Sequence, residues 1–69
     1  MFVSLIVLPG AGQRDVQLRD GATIADLVRQ ESLTGRQIVL NGNTVDAGSF
    51  GRALRSGDEV AALSAVKGA

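Results

Sequence analysis

The two most apolar segments of the chain lie at its opposite ends. Phe2–Leu8 is a run of mostly branched apolar residues, and residues 59–65 form a second run in which Val60 is the clearest inward-facing position. Each run is too short for a solitary helix and has the length of a buried strand. Because these strands are the most apolar ones, we expect them to lie side by side in the centre of a sheet and to run in the same direction.

The segment after the first run predicts a hairpin. Residues 9–12 have the sequence Pro-Gly-Ala-Gly, in which proline presets its own φ and glycine adopts a positive φ without steric cost. Val16 and Leu18 alternate with polar neighbours, which predicts a half-buried second strand over residues 14–18. A phosphate-binding loop would need a lysine followed by serine or threonine before a helix, so these glycines favour a turn.

One helix is predicted in the middle of the chain. Thr23 is a good N-cap, and Asp26 stands three residues later, close to the pattern of a capping box. A helix over residues 24–31 would carry one apolar stripe, because its apolar residues recur at i, i+3 and i+4: Ile24, Leu27 and Val28. Leu33, in the loop that follows, is expected to return to the core.

The rest of the chain predicts a second hairpin and a short turn. Residues 37–40 and 43–45 are predicted strands, joined by Asn41-Gly42, which is among the strongest short turn signals. Residues 50–54 are expected to form a brief helical turn whose two large apolar side chains point inward.

Together these elements give the order β-β-α-β-β-β. With the first and last strands parallel at the centre, this order predicts a mixed sheet of four to five strands with one helix packed across one face. That arrangement is the α+β β-grasp, or ubiquitin-like, architecture. We expect it to form a single domain over residues 1–69.

The composition excludes several classes of function. Seven basic and seven acidic residues cancel, so the chain has no net charge to attract nucleic acid or an anionic membrane. It contains no histidine and no cysteine, which removes the usual zinc, copper and iron–sulfur ligands and every nucleophile–histidine pair. We therefore expect no metal, no cofactor and no enzymatic activity.

No segment predicts insertion into a membrane. The apolar run Phe2–Leu8 is 7 residues long, whereas a transmembrane helix needs roughly twenty. The start of the chain lacks the basic region and small-residue cleavage site of a signal peptide, and the absence of cysteine fits a reducing compartment. We expect a cytoplasmic protein, or one held within a particle that assembles inside the cell.

Two segments in the second half of the chain resemble a known family. Residues 38–45 are Ile-Val-Leu-Asn-Gly-Asn-Thr-Val, and residues 54–60 are Leu-Arg-Ser-Gly-Asp-Glu-Val. They are similar to the "hydrophobic, Asn-Gly, x, x, Val" and "Leu-x-x-Gly-Asp-x-Val" segments of the ubiquitin-like sulfur carriers of the ThiS/MoaD family. Over residues 1–36 only the order of strands and helix matches. The resemblance implies the β-grasp fold and a C-terminal tail that enters an adenylating enzyme.

The resemblance also identifies the residues of that tail. In the ThiS/MoaD family the chain ends in Gly-Gly, and the terminal carboxylate is adenylated and then converted to a thiocarboxylate. This sequence ends in Gly68 and Ala69, so carrier-type attachment, if the chain acts as a carrier, would fall there. One added methyl group costs about 1–3 kcal/mol in a tight site, and acyl transfer needs close positioning. We expect Ala69 to weaken activation of the tail.

Two interpretations of function remain open. The sequence favours a non-enzymatic protein-binding module that serves as a structural or accessory subunit of a larger assembly, such as a virus particle. The alternative is a sulfur carrier, adenylated and thiocarboxylated at its C-terminus, for thiamine or molybdopterin-type biosynthesis. The partner is accordingly either an assembly of structural proteins or an adenylating enzyme.

The candidate partner-binding residues lie in the last third of the chain. Two arginines precede the last strand, and the small apolar residues that alternate along this strand are expected to leave one sheet face smooth and mildly apolar. Such a face is a common binding surface when it is large enough. The candidates are Arg52, Arg55, Leu63, Ala65 and Lys67.

Overall fold

The computed structural model describes residues 1–10 and 12–64. Among these residues it contains five strands, one α-helix and one turn of 3-10 helix. In chain order the elements are β1 (Phe2–Leu8), β2 (Gly12–Gln17), α1 (Ile24–Gln30), β3 (Gln37–Leu40), β4 (Asn43–Val45), the 3-10 turn (Ala47–Ser49) and β5 (Glu59–Leu63). The order of strands and helix is the predicted one.

The sheet has the strand order β2-β1-β5-β3-β4. β1 and β5 run parallel at its centre, with Leu5 opposite Val60, and the other neighbouring pairs are antiparallel. The prediction that the first and last apolar runs lie side by side in the same direction is confirmed. The result is a five-stranded mixed sheet with one helix, which is the β-grasp architecture of the α+β class.

The core lies between α1 and one face of the sheet. Alternate residues of the central strands point into it, and so do the two large apolar residues in the first turns of α1. The largest fully buried side chains are Leu5, Ile24, Leu27, Ile38, Val3 and Val60. Burial of each such side chain contributes about 1.5–3 kcal/mol. Leu33 is also buried, which confirms its predicted return to the core.

The short helical turn lies earlier in the chain than predicted. The sequence predicted it over residues 50–54, whereas it occupies Ala47–Ser49. Residues 50–52 continue as a turn and a bend, and the chain then pairs with the segment before α1: the Leu54 N–H donates to the Ala22 carbonyl at 2.8 Å. This long-range bond overrides the local preference for a turn, and it leaves Leu54 buried as predicted.

A capping box closes the N-terminus of α1. Thr23 Oγ1 accepts a hydrogen bond from the Asp26 N–H at 3.2 Å, and the Asp26 carboxylate accepts one from the Thr23 N–H at 3.0 Å, as the sequence predicted. The same carboxylate pairs with Arg19 at 3.1 Å and with Arg29 at 2.6 Å. The Thr23 N–H above all, and then Arg19, hold the pKa of Asp26 below its ordinary value of 3.8.

This carboxylate makes the stability of the fold sensitive to acid. Because the pKa of Asp26 is lower in the folded chain than in the unfolded one, its stabilising contribution is complete above the unfolded-state pKa and is lost as the pH falls through the folded-state pKa. Urea unfolding at a series of pH values should therefore give a free energy of unfolding that decreases below about pH 4.

Two variants isolate the contribution of Asp26 to this acid sensitivity. The decrease in the free energy of unfolding should be smaller in Asp26→Asn, which has no carboxylate to protonate. It should be retained in Asp15→Asn, since Asp15 is exposed on β2 and forms no ion pair within the described residues. Identical pH profiles of wild type and Asp26→Asn would contradict the assignment.

Candidate protein-binding face

One face of the sheet packs against α1, and we call the opposite one the open face. No element formed by residues 1–10 and 12–64 covers it. Side chains alternate between the two faces along each strand. The strand residues that alternate with the buried positions therefore define the open face, and they are half-buried or exposed.

A row of facing residues crosses the open face through all five strands. From β2 to β4 it consists of Gln13, Ile6, Ala61, Val39 and Thr44, each opposite the next in the register. The three central members are apolar and the two outer ones are polar. Since neighbouring strands lie about 4.8 Å apart, the backbones at Ile6 and Val39 stand about 10 Å apart on either side of Ala61.

A second row extends the apolar surface toward the end of β5. Leu8 faces Leu63 across the parallel pair, and Leu63 faces Gln37. Leu8 is 44% exposed, so this row is accessible to a partner. The apolar residues of the two rows form one surface, which we call the apolar patch: Ile6, Leu8, Val39, Ala61 and Leu63.

The open face dips at Ala61, because its methyl group stands between the larger side chains of Ile6 and Val39. The depression there has a volume of about 270 Å³, and its lining includes these three residues together with Ser4 and Glu59. Apolar pockets near the centre of an interface are where a partner's anchoring side chain usually binds. The shape and the apolar floor therefore suit an apolar side chain.

Asn41 fixes the start of β5 beside this depression. Its N–H donates to the Glu59 carbonyl at 2.7 Å, its Oδ1 accepts from the Glu59 N–H at 2.8 Å, and its Nδ2 donates to Asp58 Oδ1 at 3.2 Å. Its φ of 49° lies in the left-handed region, where asparagine is enriched. The turn that the sequence predicted at Asn41-Gly42 thus also holds the backbone of Glu59.

The candidate partner-binding residues fall at two separate places. Leu63 belongs to the apolar patch, at the end of β5. Arg52 and Arg55 are exposed and line a different depression, about 390 Å³ in volume, near the start of that strand. Because β5 has 5 residues, its two ends are about 13 Å apart. Asp58 lies at the same end as the arginines and accepts a hydrogen bond from the Arg55 N–H at 2.8 Å.

The last described residue is tied to β1. The Ser64 N–H donates to the Leu8 carbonyl at 2.8 Å, and Arg36 Nη1 donates to the same carbonyl at 3.3 Å. The predicted partner-binding residues and tail-attachment residues that come after Ser64 lie outside the described residues and stay predictions: Ala65, Lys67, Gly68 and Ala69.

The sequence did not identify Ile6, Leu8 and Val39 as surface residues. The sequence predicts the run that contains Ile6 and Leu8 as a buried central strand, and it predicts residues 37–40, which contain Val39, only as a strand. β1 does lie centrally, but Phe2 and Leu8 are 54% and 44% exposed. The sequence of β1 places apolar side chains on both faces of the strand. This pattern predicts either burial of both faces or an exposed apolar surface.

Two further observations concern other kinds of site. Within the part of the chain that the structure describes, no three His, Cys, Asp or Glu residues cluster closely enough to hold a metal ion. No helix in residues 1–10 and 12–64 combines the length and the apolar character needed to cross a membrane.

Solved structures share this fold. Small archaeal modifier protein 1 of H. volcanii aligns with a TM-score of 0.74 and 17% identity over 94% of this chain and 98% of its own. SAMP1 from Haloferax volcanii aligns with a TM-score of 0.73 and 20% identity over 100% of both chains. A protein–protein complex of subunits 1 and 2 of molybdopterin-converting factor from Helicobacter pylori 26695 contains a chain that aligns with a TM-score of 0.70 and 20% identity, again over 100% of both chains. No protein-family model and no curated protein gives a significant match to the sequence.

These likenesses establish the fold. The chain has the ThiS/MoaD-like, ubiquitin-like β-grasp fold that the sequence resemblance predicted. The aligned proteins are a small modifier and a subunit found in a protein–protein complex. At 17% to 20% identity the alignments show a shared fold only. Evidence on function comes from the residues of the open face.

Proposed function

We propose that this chain is a non-enzymatic protein-binding module that docks onto a partner protein through the apolar patch and serves as a subunit of a larger assembly. The observation that carries this proposal is the patch itself. Five apolar residues lie in register on three adjacent strands, and no part of the described chain covers them. Burial against a partner would remove this surface from water, which is favourable by about 25 cal/mol per Å².

The surroundings of the patch fit a protein partner. The flanking open-face residues Gln13, Gln37 and Thr44 are polar and uncharged, which matches the apolar centre and polar rim of protein interfaces. The net charge of the chain is zero, so long-range attraction to nucleic acid or an anionic membrane would not drive binding. One of the proteins with the same fold was solved as a protein–protein complex.

Replacement of Ala61 by Arg is expected to break the complex with the partner. The arginine would fill the depression and place a charge between Ile6 and Val39, at the centre of the apolar patch. A change at the centre of an interface costs about 2 kcal/mol or more, which is about thirtyfold in affinity. The measurement is the amount of partner protein that co-purifies in fixed stoichiometry with the tagged chain from its own source.

Ala47→Arg is the matched control, since Ala47 is exposed in the 3-10 turn and lies off the open face. This variant should retain the complex. Both variants should show thermal unfolding close to that of the wild type, because neither position belongs to the core. A complex that survives Ala61→Arg undiminished would contradict the proposal.

The second candidate function is that of a sulfur carrier. The observation that favours it is the match over 100% of both chains with the chain from the molybdopterin-converting factor complex. A carrier would be adenylated and thiocarboxylated at its C-terminus, and the adenylating enzyme would then be the protein that docks on the open face. The two candidates differ in the chemistry of the C-terminal carboxylate, which mass spectrometry reads directly.

A further inference from the structure

The depression at Ala61 combines an apolar floor with one carboxylate. Ala61 lies at the bottom between Ile6 and Val39, and Glu59 lines the same depression. Glu59 is exposed and forms no ion pair within the described residues. None of the strand residues on the open face is a lysine or an arginine. The carboxylate of Glu59 is therefore available to a partner.

The backbone that carries this carboxylate is already held in place. Asn41 bonds both the N–H and the carbonyl of Glu59, at 2.8 Å and 2.7 Å. On the other side Glu59 faces Ser4 in the parallel register, and Ser4 Oγ accepts a hydrogen bond from Gln13 Nε2 at 2.6 Å. This neighbouring pair is uncharged and does not neutralise Glu59. Binding of a partner to Glu59 therefore requires little further ordering of the backbone of this chain, which lowers the entropic cost of binding.

We propose that the open face recognises a protein segment that places an apolar side chain in the depression and a neighbouring lysine or arginine against Glu59. This inference rests on the proposed function, because it specifies what the apolar patch binds. The apolar contact supplies most of the affinity, and the charge pair supplies selectivity. A segment with an acidic residue in that place sets two like charges against each other and is rejected.

Selection from a random-peptide display library tests this specificity without knowledge of the natural partner. The immobilised proteins are the wild type, Glu59→Lys and Ala61→Arg. The wild type should enrich peptides in which an apolar residue neighbours lysine or arginine. Glu59→Lys should enrich peptides with aspartate or glutamate in the basic position. Ala61→Arg should lose binding of the peptides that the wild type selects.

Synthetic copies of the selected peptides give the size of the effect. They should bind Glu59→Gln about threefold to tenfold more weakly than the wild type, with a weaker dependence on salt. Asp15→Asn is the control, because Asp15 lies on β2, two strands from Glu59 in the same row, and does not line the depression. This variant should bind the peptides within about twofold of the wild type.

The outcomes separate this inference from the proposed function. If Ala61→Arg abolishes binding but the selected peptides lack a basic residue, or if Glu59→Gln binds them as tightly as the wild type, the role of Glu59 is wrong and the open face remains the binding site. If the peptides bind Ala61→Arg as well as the wild type, or if the wild type enriches no sequence, both the inference and the assignment of the binding face are contradicted.

Discussion

Replacement of Val60 by Asp is expected to unfold the protein. Val60 is 2% exposed and lies in the central strand, opposite Leu5 of β1 and Leu40 of β3. The core contains no buried polar or charged side chain among the described residues, so a carboxylate at this position would be unpaired, at a cost of several kcal/mol. The free energy of unfolding of a chain of 69 residues is about 3–10 kcal/mol in total, and this loss would consume most or all of it.

Ala61→Asp is the matched control for this prediction. The same carboxylate then stands one residue further along β5, on the open face, where it remains in contact with water. We expect a cost of about 1 kcal/mol and a folded protein. Circular dichroism shows whether each variant is folded, and urea unfolding measures its free energy of unfolding. A folded Val60→Asp or an unfolded Ala61→Asp would contradict the register of β5, because a shift by one residue exchanges the two faces.

Leu27→Ala should lower the free energy of unfolding by about 2–5 kcal/mol. Leu27 lies on α1 and is fully buried against the sheet. Truncation removes apolar contacts and leaves a cavity that the closely packed surroundings fill only in part. The change appears as a lower midpoint of urea unfolding with an unchanged slope.

Leu8→Ala provides the comparison for Leu27→Ala. Leu8 is 44% exposed on the open face, so the same truncation should cost less than about 1 kcal/mol. It should weaken partner binding instead, since Leu8 belongs to the apolar patch. Equal losses of stability in the two variants would contradict the assignment of Leu8 to an exposed face of the sheet.

The parts of the fold that the sequence predicted depend on signals close together in the chain. Thr23 and Asp26 are three residues apart, and their reciprocal hydrogen bonds form as expected. The turn at Asn41-Gly42 needs only two residues. The parallel pairing of β1 and β5 is a long-range feature, yet it was predictable because these two strands are the most apolar segments of the chain.

The parts that the sequence did not predict depend on the register between distant strands. The row through Ile6, Ala61 and Val39 forms only when β5 pairs with both β1 and β3 in one alignment. The bonds from Asn41 to Asp58 and Glu59 span 17 and 18 positions. Local patterns do not encode such contacts. The sequence predicts an apolar sheet face along the last strand, but the extension of the apolar patch across β1 and β3 and the fixed position of Glu59 are visible only in the structure.

The distribution of apolar residues explains why the sequence did not predict the contribution of β1 and β3 to the open face. An apolar side chain at every position of a strand is the usual pattern when both faces are buried, and β1 has nearly this pattern. In this fold the second face has no covering element among the described residues. The excess of apolar residues in β1 and β3 is therefore better explained by a partner than by the core, which already fills the face toward α1.

Native mass spectrometry of the chain isolated from its own source distinguishes a protein-binding subunit from a sulfur carrier. We expect an unmodified chain in a stoichiometric complex with another protein, which Ala61→Arg dissociates and Ala47→Arg leaves intact. A free monomer in which sulfur replaces one oxygen of the C-terminal carboxylate would contradict this expectation and would establish the chain as a sulfur carrier.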